Sequence, residues 1–527
     1  MPLDGVVPFP AEFQARYRAR GYWQDQTMDE VFRAAFARHA ERPAVIFGER
    51  TISYGELQRS ADQLAGRLWQ EGLRPLDRVV VHLPNCPEFL QLHFALQRLG
   101  VVPIMALAAH RRYEIDHYVR LAGASAYFGP TRALGEEVQA ENECLRLVMG
   151  LEELGDQRPA PTPPPFRADP DDPCVLLLSG GTTGIPKLIP RTHNDYVYNT
   201  QAANLAQDIS ANTVQLCVLP LAHNMPLACP GVQGVFLEGG KVVLGASTRA
   251  TDVLPAIAQH AVTHVAAVPA LYIRWLADPL AESCDLRSVQ LLQSGGQRLQ
   301  PEVRRRMART FPNAFVQENF GMSEGTLFFT HRDDPEEVRL ETVGIPVCAD
   351  DEVRLTDEEG RDVPDGEVGE LTVRGPYTLR GYYRAEDYNR RVFTPDGFYR
   401  SGDLMRRHPS GSYLVEGRIK DLVNRGGEKI SAEEVENLIL THPSVRNVAC
   451  VPLSDPILGE RMCACVILRE GSQLELDELT GHLMALGVAK FKLPERLEIV
   501  ESFPLSAFGK VSKKALAKRF EAATVAS

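Results

Sequence analysis

Two hydrophobic periods alternate along the first 150 residues. Met28 to His39 and Tyr54 to Glu71 repeat apolar residues at helical spacing, whereas Pro43 to Phe47 and Arg78 to Leu83 are short apolar runs that predict strands. Such alternation predicts a mainly parallel sheet with helices on its faces. Pro159 to Pro165 holds five prolines and predicts an extended, exposed connector. Behind it, Cys174 to Leu178 predicts a buried strand, and the alternation resumes to about residue 300. Shorter, more polar strands follow at Glu352–Leu355, Gly369–Val373 and Gly411–Val415, as in a separate β-rich unit. After about residue 420 the pattern is helix (Ser431–Leu440), strands (Val445–Pro452, Met462–Leu468), helix (Glu475–Leu486) and strand (Arg496–Val500). The expected fold class is α/β: a large N-terminal domain of α/β subdomains with a β-rich unit, then a small α+β C-terminal domain of about 105 residues.

Composition narrows the function. The 527 residues are enough for several domain-sized units. A charge of −12, from 57 Lys+Arg against 69 Asp+Glu, argues against a broad polyanion-binding face, so no nucleic acid partner is expected. Hydrophobic content of 44% and charged content of 24% are ordinary for a globular chain. The ten cysteines form no C-x-x-C pair, so reduced, mostly buried thiols and a cytoplasmic location are expected. The first residues have no basic region followed by an apolar core, so no signal peptide is expected. The longest apolar run, near Val101 to Ala109, is far short of a membrane span, so no membrane partner is expected.

The chemistry concentrates in a loop after the Cys174–Leu178 strand, Ser179-Gly-Gly-Thr-Thr-Gly-Ile-Pro-Lys187. Adjacent glycines let backbone N–H groups approach a ligand, and hydroxyls with one Lys can bind phosphate oxygens. The Walker A spacing is absent. A flexible surface turn is the plain alternative, and the specificity of the whole string weighs against it.

This string resembles the signature of the adenylate-forming superfamily. Further matches follow in the family's order: Asn319-Phe-Gly-Met-Ser-Glu324, Gly369-Glu-Leu371, Arg374 to Pro376, Gly381-Tyr382, Tyr399 to Asp403, Gly417 to Asp421 and Pro504 to Lys510. They span nearly the whole chain. A narrower resemblance, in Pro186 to Asp195, Leu221 to Asn224, Pro230-Gly231, Arg374 to Thr378 and Asn424 to Lys429, is to the stand-alone 2,3-dihydroxybenzoate- and salicylate-AMP ligases of siderophore biosynthesis.

The resemblance implies ATP and Mg²⁺ as cofactors, a small carboxylic acid as substrate, and a phosphopantetheinylated carrier protein as acceptor. It implies an adenylation domain over residues 1–417, a hinge at 418–421 and a mobile C-terminal domain over 422–527. Ser179, Gly180, Gly181, Thr182, Thr183, Gly184 and Lys187 would hold phosphates, and Glu324 would be the metal ligand. Gly295, Gly296, Asn319, Phe320, Gly321 and Met322 would border the adenine, and Asp403 and Arg418 the ribose. Lys510 would bridge the acid and the α-phosphate, Lys420 would mark the hinge, and Gly426 and Gly427 would line the thiol tunnel. Without the motif, Lys510 beside Lys513 and Lys514 reads as a solvated tail lysine.

For the acid pocket the resemblance implies His223, Asn224, Met225, Cys229, Gln297, Asn319 and Leu327. Cys229 with Leu327 follows the salicylate pattern, since neither pairs a second phenol hydroxyl as a serine does. Met225, Gln297 and Asn319 depart from the subfamily, and two added amides favour a more polar acid, such as a hydroxypicolinate or a small acid bearing an amide or second carboxylate. His223 is not required as a base, because a carboxylic acid is already ionised at neutral pH. Two other readings stay open: an acyl- or aryl-coenzyme A ligase, and a non-enzymatic nucleotide-binding regulator. The presence of Lys510, Glu324 and Asp403 speaks against the regulator.

Overall fold

The computed structural model describes residues 3–156, 158–179, 186–296, 299, 301–425, 428–455, 458–486, 488–505 and 510–525. They pack as two compact units: residues 1–340, 344–352 and 373–399 in the first, and 341–343, 353–372 and 400–527 in the second.

The first unit is built on two sheets. In the six-stranded one the strands Leu147–Met149, Ala126–Phe128, Arg78–Val81, Val102–Met105, Pro173–Leu178 and Leu188–Thr192 lie side by side in that order. Its neighbours are parallel except for the last pair, which is antiparallel. In the nine-stranded sheet a parallel centre runs through Phe315–Met322, Leu291–Gly295, His264–Ala267, Val214–Cys217, Lys241–Leu244 and Pro43–Phe47. Antiparallel strands finish both of its edges. The expected parallel, helix-covered architecture is therefore present. The central strands are apolar on both faces, as Val79, Val80, Ile104, Leu176 and Leu292 show by being fully buried, because helices cover each face.

Local signals account for the helices. Thr27 and Ser53 open Met28–Arg38 and Tyr54–Gln70 as capping boxes with Glu30 and Glu56. Gly100 and Gly123 close their helices in the left-handed conformation. The proline-rich connector carries no regular structure and is mostly exposed.

Most of the β-rich segment falls in the second unit, as a four-stranded sheet of Glu352–Thr356, Val368–Arg374, Tyr399–Arg407 and Tyr413–Arg418. The last strand starts two residues later than expected. His408 to Ser412 form a tight turn, closed by His408 N–H to Ser412 O at 2.8 Å and Gly411 N–H to His408 O at 2.8 Å, with Gly411 at φ +90°. Residues 422–525 add a five-stranded sheet whose core includes Val423, Ile430, Val435, Met462 and Leu479. All ten cysteines are free and eight are buried, Cys463 and Cys465 sharing one face of a strand. Among the described residues no helix is long and apolar enough to cross a membrane.

Candidate active site

The ends of the glycine-rich loop are fixed by its flanks. Lys187 N–H donates to Ser179 Oγ at 2.9 Å, and Ser179 N–H to the Lys187 carbonyl at 2.9 Å. Ser179 therefore closes the loop rather than offering its hydroxyl lone pairs freely. Gly180, Gly181, Thr182, Thr183 and Gly184 lie outside the described residues. The Lys187 ammonium rests 3.8 Å from the centre of the Tyr388 ring. Burial and then Arg391 lower its pKa, while Glu324 raises it. The lysine expected to bind phosphate, a second cation and the expected metal carboxylate are thus electrostatic neighbours.

Glu324 follows the strand Phe315–Met322, buried to 8% exposure. Its Oε1 accepts from the Tyr382 hydroxyl at 2.7 Å, and Tyr382 lies 2.8 Å from the Tyr399 hydroxyl. Just before it, the Ser323 carbonyl accepts from Arg191 Nη1 at 3.2 Å. Arg191 is fully buried, and its Nε donates to Asp195 at 2.7 Å. Asp195 in turn caps its own helix, accepting from Thr192 N–H at 2.7 Å. A carboxylate, phosphate oxygens and water suit Mg²⁺, and the Glu324 carboxyl beside Lys187 fits that donor set.

Of the residues expected to line the acid pocket, Asn224, Cys229, Asn319 and Leu327 come together. Cys229 and Leu327 pack together with Ala203, Phe329, Cys348 and Tyr377. Asn224 joins them: its Nδ2 donates to Cys229 Sγ at 3.3 Å, and its Oδ1 accepts from the Tyr196 hydroxyl at 2.9 Å. One amide hydrogen of Asn224 remains for a ligand. Burial pushes the Cys229 thiol up to about 12, so it is neutral at working pH. Asn319 belongs to the same neighbourhood. A Cβ placed on Gly321 would meet Leu327 Cδ2 at 2.7 Å and Asn319 Nδ2 at 4.0 Å, and one on Gly295 would meet Asn319 Oδ1 at 2.6 Å. Asn319 is 7% exposed, and its Oδ1 is buried without a partner.

Other expected residues fall elsewhere. Met225 packs against the larger core beneath the nine-stranded sheet. His223 Nδ1 accepts from Met225 N–H at 3.3 Å and caps a short helix, which removes that nitrogen as a base. Phe320 packs edge-on to Phe328, Met322 is half-buried, and Gly296 turns at φ +85° after the strand Leu291–Gly295. Gln297 lies outside the described residues.

In the second unit Asp403 and Arg418 are opposite one another on antiparallel strands, and Arg418 Nε lies 2.7 Å from Asp403 Oδ1. Lys420 contributes its backbone to the short turn Ile419–Asp421, its side chain lying outside the described part, as do Gly426 and Gly427. Lys510 is half-buried. Lys513 does not share the solvated character expected of that tail: its Nζ lies 2.6 Å from the buried carboxylate of Glu436. Burial works to lower the Lys513 pKa, and Glu436 outweighs it and raises it.

Sequence reading passed over Arg191, Asp195, Tyr196, Tyr377 and Tyr382 as site residues. The Thr192/Asp195 capping spacing and the Gly381-Tyr382 match were the available signals.

Comparison with known proteins identifies the family. The AMP-binding enzyme family matches residues 32–383, and the AMP-binding enzyme C-terminal domain matches residues 434–510. The chain is 44% identical to a salicylyl-CoA synthase / salicylate adenylyltransferase of a Streptomyces species, covering 98% of each chain. It is 43% identical to the 2,3-dihydroxybenzoate-AMP ligase of Bacillus subtilis, covering 98% of this chain and 97% of that one. Among solved structures, apo MbtA of Mycobacterium smegmatis is 43% identical with a TM-score of 0.76, covering 98% of this chain and 99% of that one.

Proposed function

Since the chain belongs to the AMP-binding enzyme family, and is therefore an adenylate-forming ligase that uses ATP, we propose that it activates a small aryl acid, salicylate before 2,3-dihydroxybenzoate, and passes it to the phosphopantetheine thiol of a carrier protein. The carrying observation is the grouping of Asn224, Cys229 and Leu327. The remaining Asn224 N–H suits the carboxylate or the ortho hydroxyl of the acid. Beyond it, a neutral sulfur that already accepts from Asn224 and the apolar Leu327 offer no good partner to a second phenol hydroxyl.

In the first half-reaction a carboxylate oxygen attacks the α-phosphorus of ATP, forming the acyl-phosphate bond as pyrophosphate leaves. The acid enters ionised, so no general base is needed. Lys187, with Thr182 and Thr183, would bind the β and γ phosphates, and Glu324, oriented by Tyr382, would hold Mg²⁺. There Mg²⁺ would supply neutralisation of the charge on the phosphate oxygens. Gly295 and Gly296 serve the adenine, and Asp403 held by Arg418 serves the ribose. Lys510 carries the cation that serves the α-phosphate. In the second half-reaction the thiol attacks the acyl carbon and AMP leaves, and residues 418–421 are the articulation between the two steps.

A second reading is carried by Asn319. Its unpartnered buried amide oxygen favours an acid that brings a further hydrogen-bond donor, such as a small acid bearing an amide. ATP–pyrophosphate exchange with salicylate, 2,3-dihydroxybenzoate, benzoate, 3-hydroxypicolinate and malonamate decides between them. Salicylate ahead of the panel is expected, and no exchange with any aryl acid refutes the first reading. Comparing carrier protein with free coenzyme A as acceptor then separates the carrier-loading enzyme from a coenzyme A ligase.

A further inference from the structure

The strand carrying Leu327 is held from outside the pocket by a chain of hydrogen bonds that ends on a carboxylate. Leu327 N–H donates to the Tyr377 hydroxyl at 3.0 Å, and the same hydroxyl donates to Asp351 Oδ2 at 2.6 Å. The directions follow from the Leu327 N–H, which only donates: the hydroxyl accepts from it and has its own proton left to give to the Asp351 oxygen. Tyr377 is fully buried and packs in the cluster that contains Leu327 and Cys229. Asp351 Oδ2 also accepts from Cys348 N–H at 3.3 Å, which fixes the acid itself. Its Oδ1 is buried and lies against the backbone of Gly375, where an added Cβ would approach to 2.2 Å.

The neighbouring backbone is clamped in the same way. Gly325 stands at φ +119°, and a Cβ there would sit 2.2 Å from the Tyr377 carbonyl oxygen, so only glycine fits. The hydroxyls of Thr326 and Thr378 are 2.9 Å apart, and Leu379 N–H donates to the Glu324 carbonyl at 2.8 Å. Glu324 therefore keeps its own ties, to Leu379 and Tyr382, while the Leu327 carbonyl accepts from Val347 N–H at 2.8 Å and its N–H is held by Tyr377.

We propose that Tyr377 and Asp351 are positioning residues for the acid substrate, which set the pocket wall at Leu327 through the Tyr377 hydroxyl. This rests on the assignment of Leu327 to the acid pocket made above. Acting through the Leu327 N–H, this pair sets how closely the acid is gripped.

The test uses the full chain and the variants Tyr377→Phe, Asp351→Leu and Asp351→Asn. Two readouts are taken: pyrophosphate-exchange kinetics with whichever panel acid wild type uses best, and amide hydrogen exchange over residues 325–329. Tyr377→Phe and Asp351→Leu are expected to raise the KM for the acid roughly 5- to 100-fold, with the KM for ATP changed less than about threefold. They are expected to speed hydrogen exchange in that segment. Asp351→Asn keeps an amide oxygen to accept from Tyr377, so its acid KM stays within about threefold of wild type and its hydrogen exchange is unchanged. A variant that merely folds less well loses active fraction and kcat but keeps its acid KM. Wild-type acid KM and wild-type hydrogen exchange in both Tyr377→Phe and Asp351→Leu overturn the proposal, as does an equal defect in Asp351→Asn. If wild type activates none of the panel acids, the proposed function fails, and hydrogen exchange alone then judges the Leu327–Tyr377–Asp351 chain.

Discussion

Replacing Asp195 by alanine strands a charge in the interior of the first unit. Arg191 and Asp195 are 0% and 1% exposed and 2.7 Å apart. Removing one partner of such a pair costs about 3–5 kcal/mol, because the remaining ion is left desolvated and uncompensated. Asp195 also caps its helix through Thr192, a contribution of about 1 kcal/mol. The expected loss for Asp195→Ala is thus roughly 4–6 kcal/mol. The double variant Arg191→Met/Asp195→Leu removes both charges. It still loses the cap and leaves the Ser323 carbonyl without its donor, costing about 2–4 kcal/mol in all. It should therefore be more stable than the single variant. The three tryptophans, Trp23, Trp69 and Trp275, all lie in the first unit, so urea unfolding followed by tryptophan fluorescence reports on that unit. A loss of less than about 1 kcal/mol for Asp195→Ala, or a double variant no better than the single one, refutes the reasoning. Pyrophosphate exchange should fall in both, since Arg191 steadies the backbone next to Glu324.

Three further outcomes are expected. Lys510→Ala should abolish adenylation while largely sparing thiolation of a preformed acyl-adenylate, and equal loss of both half-reactions would count against its role. Cys229→Ser should shift the ratio of 2,3-dihydroxybenzoate to salicylate exchange upward by roughly ten- to a hundredfold, since a hydroxyl can pair the added phenol group; an unchanged ratio removes Cys229 from the pocket. Burial raises the Asp351 carboxyl to about 7 from 3.8, against the opposing bonds from Tyr377 and Cys348. The folded state then binds this proton more tightly than the unfolded state does. Its contribution to stability is fully present below about pH 4 and is lost as the pH rises towards about 7, by at most about 4 kcal/mol. Asp351→Asn should flatten that slope and gain on wild type between pH 5 and 8, as read by urea midpoints; parallel pH curves refute the assignment.

Much of the molecule was legible from local pattern. Apolar runs of four to six residues placed Arg78–Val81 and Pro173–Leu178, because a strand covered on both faces must be apolar throughout. Helical apolar spacing placed Met28–Arg38 and Tyr54–Gln70, whose starts are closed by local hydrogen bonds at Thr27 and Ser53. The motif order gave the chemistry, because phosphate transfer demands the same few groups wherever it is carried out. Tertiary structure decided what depends on partners far apart in sequence. Only folding shows that Glu324 is held by Tyr382, 58 residues on, and Leu327 by Tyr377, 50 residues on. Composition likewise could not say that Arg191 is fully buried or that Lys513 is tied to Glu436. Neither period nor propensity registers these pairs. Hydrophobic spacing records which face of an element is dry, whereas the partner of a buried polar atom is set by which elements the sheets bring side by side.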